Sequence, residues 1–191
     1  DTIKNVFRSS KEIGVRSIAL IGEGENTLNP ALYPSLDYAR DINLDVSLAT
    51  HGANLKEENF MSMLSALSWI RINISAATDE SYKVVHQRPW FEKVIKNTES
   101  LVKFRNHNDV KLKNGKPSTI GFQMVLTHKN FNDIVPLAKL AINLGLDYLV
   151  VKACSDTPDG ELDAPTEEYL KYKKVFKEAE KLSNHTTKII V

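Results

Sequence analysis

Short apolar, partly β-branched runs alternate with segments of helical period along almost the whole chain. No other feature constrains the fold as much. The runs are Arg16 to Ile21, Leu44 to Thr50, Trp69 to Ser75, Ser118 to Leu126 and Asp147 to Lys152, and a further strand opens at Lys188. Helices are predicted over Ile3 to Ile13, Pro30 to Asn43, Lys56 to Leu67, Trp90 to Phe104, Phe131 to Leu144 and Thr166 to Leu182. Strand and helix in repetition give a parallel sheet, because parallel neighbours need a long crossover between them. The fold class is therefore α/β. An open doubly wound sheet and a (β/α) barrel both satisfy the pattern. Polar residues follow every strand: Glu25, His51, Ser75, His128 with Asn130, and Lys152. Their convergence on one face favours a barrel, which builds its site there. The expectation is a partial (β/α)6-type TIM barrel, with parallel strands and outer helices. It is read as a single domain over residues 1–191, truncated at both ends, since the chain opens at Asp1 and stops at Ile189-Ile190-Val191.

The helical periods place Ile3, Val6, Phe7 and Ile13 of the first helix, and Leu32, Leu36, Tyr38 and Ala39 of the second, toward a core. A long connection runs from Ala76 to Pro117 and carries a polar, hairpin-like tip over Asn106 to Lys116. With 25 Lys and Arg against 24 Asp and Glu, net charge calls for neither nucleic acid nor an anionic membrane surface. No apolar run approaches the roughly 20 residues of a membrane span, and no secretory signal opens the chain. Cys154 is the single cysteine. It rules out an internal disulfide framework and a self-contained iron–sulfur site, and it fits a reducing, cytoplasmic setting.

The chemistry gathers at the strand ends. Arg16 to Ile21 reads as a strand buried on both faces, and it runs into Gly22-Glu23-Gly24-Glu25-Asn26. Glycines let the backbone turn and let a ligand approach it. A phosphate-cradling loop avoids acids, so this turn suits a cation, an amine or a metal, and a solvated turn is the simpler alternative. In Trp69 to Ser75, alternation puts Arg71 and Asn73 on one face and Ile70, Ile72 and Ile74 on the other, so one face of the sheet lines a wet or liganded interior. His51, His128 and Glu25 have the chemistry of zinc ligands but lack the close spacing that marks such sites, and the chain is read as holding no metal by itself. His86, His107 and His185 read as surface or supporting histidines. Lys152, ending an apolar strand, is a candidate Schiff-base nucleophile of the class I aldolase type, the alternative being an ammonium that reaches solvent or pairs with Asp156.

Taken in order, GEGENTLNPALYPSLDYARDINLDVSLATHG resembles the radical S-adenosylmethionine superfamily. Gly24-Glu25-Asn26 is similar to that family's Gly-Gly-Glu-Pro turn after the second barrel strand, with Asn26 in place of proline. Thr50-His51-Gly52 is similar to its Thr-Asn-Gly after the third strand, with His51 in place of asparagine. WIRINISAATDESYKVVHQRPWFEKVIKN looks like its fourth strand and helix, and TIGFQMVLTHKNFNDIVPLAKLAINLGLDYLVVK like its fifth and sixth. The resemblance implies an enzyme that reductively cleaves S-adenosylmethionine at a 4Fe-4S cluster and abstracts a substrate hydrogen.

By the same resemblance, Gly24 and Glu25, with Glu23, Asn26 and Thr50 around them, meet the methionyl ammonium. Ser75, Gln123 and Arg88, with Asn73 behind them, meet the ribose and the methionyl carboxylate, and Asn130 matches a family asparagine. The adenine rests near Ile120, Gly121 and Val151. His51, Arg71, Asn73 and Lys152 are possible substrate or cofactor contacts, and no catalytic residue is assigned. The family's CxxxCxxC loop is absent, so the cluster ligands are expected outside this chain, just before Asp1, and the chain as given is expected to be inactive. The implied partners are a small-molecule or peptide substrate and an electron donor such as flavodoxin or ferredoxin. A Schiff-base lyase using Lys152 and a cluster-less binding domain are the alternatives.

Overall fold

The computed structural model describes residues 2–155, 164–165 and 168–191. The elements follow as α1 (Thr2–Glu12), β1 (Ser17–Leu20), α2 (Leu32–Asp41), β2 (Asp45–Thr50), α3 (Phe60–Ala66), β3 (Leu67–Asn73), α4 (Asp79–His86), α5 (Phe91–His107), β4 (Thr119–Leu126), α6 (Ile134–Asn143), β5 (Tyr148–Ala153), α7 (Tyr169–Glu180) and β6 (Lys188–Ile190). Strand order is chain order, β1 through β6. The pairings β1–β2, β2–β3, β4–β5 and β5–β6 are parallel. A doubly wound sheet reverses its order at a switch point. A run in chain order has no such point, so the winding is that of a (β/α) barrel.

Contacts divide the chain into two compact units. One runs through Ile72 and resumes over Lys96–Ile120, and the other comprises Asn73–Ile95 and everything from Gly121 onward. In the first unit, Val46, Leu48, Ile70 and Ile72 are closed from solvent on one face of β2 and β3. Leu36 of α2 and Phe60 and Met63 of α3 are buried in the same unit. Arg71 alternates to the other face and is half-buried. In the second unit, Phe122, Met124, Leu126 and Leu149 are the closed face. Gln123, Val125 and Val150 are half-buried on the opposite one, and Lys152 is exposed. Each unit thus carries one apolar and one more open sheet face, as the alternation in Trp69 to Ser75 leads one to expect.

The expectation that the Arg16–Ile21 strand is buried on both faces does not hold. Ser17 and Ala19 of β1 are exposed, and Ile18 and Leu20 only half-buried. β1 ends the strand order, so it lacks a neighbour's cover on one side. Of the four residues expected in the core from the first helical segment only Phe7 is buried, while Val6 of α1 and Ile13 just after it are exposed. Tyr38 is half-buried. The long connection contains a helix that hydrophobic periodicity did not mark. α4 is started by a capping box between Thr78 and Ser81, and it ends where Gln87 takes a left-handed conformation at φ 54°. The polar tip after α5 closes through Gly115, whose N–H donates to Leu112 O. The last helix begins at Tyr169, and Thr166, Asp156 and most of the preceding loop lie outside the described residues.

Candidate active site

In the first unit the acidic turn is built around Glu25. Gly24 sits at φ 83°, a conformation that side chains resist, and it swings the chain so that Glu25 caps a short 3-10 turn over Asn26–Leu28. The Oε1 atom of Glu25 accepts from the Thr27 N–H at 3.1 Å, the Thr27 hydroxyl at 2.5 Å and the Thr50 hydroxyl at 2.5 Å. The Oε2 atom accepts from the His51 N–H at 2.9 Å and lies 3.3 Å from His51 Nε2. Asn26 fastens the same turn, because its Nδ2 donates to Leu20 O of β1 and to Ala49 O of β2. The following turn is fixed too. Gly52 N–H donates to the Thr50 hydroxyl, Ala53 N–H donates to His51 Nδ1, and Asn97 of α5 donates to Gly52 O and Ala53 O.

Burial works against the charged form of Glu25, but the donors from Thr27, Thr50 and His51 outweigh it and hold the carboxyl below its ordinary range. The turn therefore carries a settled negative charge. Burial, and after it that charge, pushes the Tyr33 phenol up. Gly22 and Gly24 have open space where a Cβ would stand, so a ligand can reach this backbone. A fixed anion beside an accessible glycine backbone fits an ammonium. Glu23 is exposed on the same turn.

In the second unit the ends of β3 and β4 are joined by Asn130, which is fully buried. Its Nδ2 donates to Ser75 O at 2.8 Å and Val125 O at 2.9 Å, and its Oδ1 accepts from Thr127 N–H at 2.8 Å. Ser75 Oγ accepts from Val125 N–H, and Ser75 N–H donates to His86 Nε2, whose ring stacks on Tyr82. Below these ends, Gln123 Nε2 donates to Asn73 Oδ1 at 3.3 Å. Gly121 leaves its place on that face to the Tyr148 ring, which a Cβ at 121 would overlap. Val151 is buried, Lys152 is exposed at the end of β5, and Arg88 is exposed with its guanidinium over Trp90. His128 pairs with Glu168 at 3.0 Å.

Most of the sequence-derived candidates thus fall into two clusters, one in each unit. Glu23, Gly24, Glu25, Asn26, Thr50 and His51 stand together at the ends of β1 and β2. Asn73, Ser75, Gln123 and Asn130 stand together at the ends of β3 and β4, while Arg88 is on the loop after α4. Among the described residues no three His, Cys, Asp or Glu side chains are placed to hold a metal ion. His86, one of the histidines expected at the surface or in support, supports the Ser75 turn. Asn97 has no sequence signal as a support, because it lies within a helical run with nothing local to mark it. No helix among the described residues is long and apolar enough to cross a membrane.

No protein-family model matches the chain. A probable GTP 3',8-cyclase of Saccharolobus islandicus is 27% identical over 145 residues, 75% of this chain and 43% of that protein. The chain thus spans less than half the length of the curated relatives it matches. Streptococcus suis SuiB bound to S-adenosylmethionine superposes with a TM-score of 0.73 at 13% identity, over 97% of this chain and 41% of that one. SuiB has also been solved with a precursor peptide, SuiA. A domain of a pyruvate-formate lyase-activating enzyme from Bacteroides vulgatus superposes with a TM-score of 0.63 at 13% identity, over 90% of this chain and 97% of that one. The chain is thus similar in sequence to a probable GTP 3',8-cyclase, and it shares its fold with SuiB and with the pyruvate-formate lyase-activating enzyme domain.

Proposed function

We propose that this chain is the S-adenosylmethionine-binding core of a radical enzyme that forms a 5'-deoxyadenosyl radical and abstracts a hydrogen atom from its substrate. The observation that carries the reading is the Gly22–Asn26 turn, an accessible glycine backbone around a carboxylate held ionised by its own chain. A cationic methionyl ammonium is the complement of that turn. Gly24 and Glu25, with Glu23, Asn26 and Thr50, receive it, by backbone oxygens and by charge. Ser75, Gln123, Arg88 and Asn73 are the polar groups for the ribose and carboxylate, with Asn130 fixing the strand ends beneath them. The adenine is assigned to the apolar edge around Val151. His51, Arg71 and Lys152 complete the groups available to cofactor or substrate.

A 4Fe-4S cluster supplies the electron for cleavage. One cysteine cannot provide three thiolates, so its ligands belong to residues outside these 191, and this chain alone is inactive. The chain's own part is to bind and orient the cofactor and to exclude water. A small-molecule or peptide substrate, an electron donor such as flavodoxin or ferredoxin and a cytoplasmic setting accompany this reading. The peptide alternative draws support from the SuiB complex with SuiA. A Schiff-base lyase is less well supported, because Lys152 is exposed at the end of β5. The test is anaerobic reduction of the whole protein, reconstituted with iron and sulfide, in the presence of S-adenosylmethionine. Release of 5'-deoxyadenosine is expected. A reduced cluster that leaves the cofactor intact would contradict the proposal.

A further inference from the structure

We propose that His51 is a positioning residue for the cofactor turn, gripping the Glu25 carboxylate from β2 through one defined imidazole tautomer. The inference rests on the reading of that turn as the cofactor site, and it concerns how the turn is held. Nδ1 of His51 accepts the Ala53 N–H at 3.0 Å, so in this arrangement it carries no proton. The proton of the neutral ring is then on Nε2, which faces Glu25 Oε2 at 3.3 Å. The same oxygen also accepts the His51 backbone N–H at 2.9 Å. One residue thus holds the carboxylate with two arms and closes its own turn with the third.

Neither of the other protonation states does all of this. A proton on Nδ1 opposes the Ala53 N–H, and the doubly protonated ring likewise loses its acceptor. An asparagine at 51 could accept the Ala53 N–H through Oδ1, as such residues do in turns, but has no second ring nitrogen for Glu25. The remaining Glu25 oxygen is engaged by Thr27 and Thr50. With these donors in place, Glu25 acts on a bound cation through its charge and through the turn it shapes. The His51 ring therefore helps set the position of that group, and by closing its own turn it keeps the His51 backbone N–H, one of the donors that hold Glu25 ionised, on the carboxylate.

The test combines three measurements on this chain and on His51→Ala and His51→Asn. Nitrogen-15 NMR of labelled histidine is expected to show His51 as the neutral Nε2–H tautomer. Carbon-13 NMR titration is expected to show the Glu25 carboxyl moving up toward its ordinary range in both variants, more in His51→Ala. Calorimetry with S-adenosylmethionine is expected to show affinity reduced about tenfold in His51→Ala and partly recovered in His51→Asn. A proton on Nδ1, or a Glu25 titration unmoved in a folded variant, would overturn the clasp. A loss of affinity as large in His51→Asn as in His51→Ala would deny the role of the closed turn. Should the unaltered chain bind no S-adenosylmethionine, the cofactor reading fails, and the NMR measurements alone judge the clasp.

Discussion

The Thr50 hydroxyl donates a 2.5 Å hydrogen bond to Oε1 of Glu25, joining the last residue of β2 to the turn that follows β1. Neither residue is informative alone. Together they show why a carboxylate can sit largely buried at this strand end. The chain supplies its donors before any ligand arrives, so the charge is held in place at no cost to the incoming group.

That arrangement makes stability depend on pH in a definite direction. The folded state holds the Glu25 carboxyl below its unfolded value. Its contribution is therefore present above the ordinary carboxylate range and lost as pH falls through and below it. Glu25→Gln is expected to cost about 2 kcal/mol at neutral pH, because an amide cannot accept at both ends. Urea unfolding at pH 7 and near pH 4 checks this. The gap between the two proteins should narrow at the lower pH.

Asn130 uses both amide hydrogens and its oxygen on backbone groups of the second unit. Asn130→Ala leaves two carbonyls and one N–H without that partner, and a loss of about 3 kcal/mol is expected. Asn130→Asp should be worse than its size suggests, since it presents a carboxylate oxygen to Ser75 O and Val125 O. Thermal unfolding of both variants decides between this and a role confined to ligand contact, which would leave stability unchanged.

Much of this was legible from residues. The polar–apolar alternation of Trp69 to Ser75, the acidic glycine turn and the Thr50-His51-Gly52 turn all read correctly as strand-end features, because period and turn chemistry are local. The exposure of β1 was not legible. Ser-Ile-Ala-Leu has the composition of a buried strand, and only its place at the end of the strand order leaves it open. The partners of His51 and Asn130 were equally hidden, since their donors and acceptors come from other elements of the fold. α4 did carry a signal, the Thr78 and Ser81 capping box with Asp79 and Glu80 in its first turn, but its apolar period is too short to stand out.

Gly121 and Tyr148 form a cross-strand pair in which the ring takes the space of a missing side chain. Gly121→Ala is expected to cost about 2 kcal/mol through overpacking. Tyr148→Ala in the same chain should remove most of that penalty, and a double-mutant cycle reads the coupling. Additive losses would show that the ring does not constrain residue 121.

The two glycines of the acidic turn should separate stability from binding. Gly24 has a positive φ with open space around it, so Gly24→Ala should cost about 1 kcal/mol through the backbone alone. Gly22 has neither a positive φ nor a close neighbour, and Gly22→Ala should leave stability within about 0.5 kcal/mol. If a ligand rests on this backbone, the same change weakens its binding. Melting curves and titrations of both variants check the contrast.

The most direct test of the central claim is calorimetric titration of S-adenosylmethionine into this chain and into Glu25→Ala. Weak but measurable binding to the unaltered chain is expected, and a clear loss in a folded variant. Equal binding by both proteins, or none by the folded unaltered chain, would contradict the placement of the cofactor on the acidic turn.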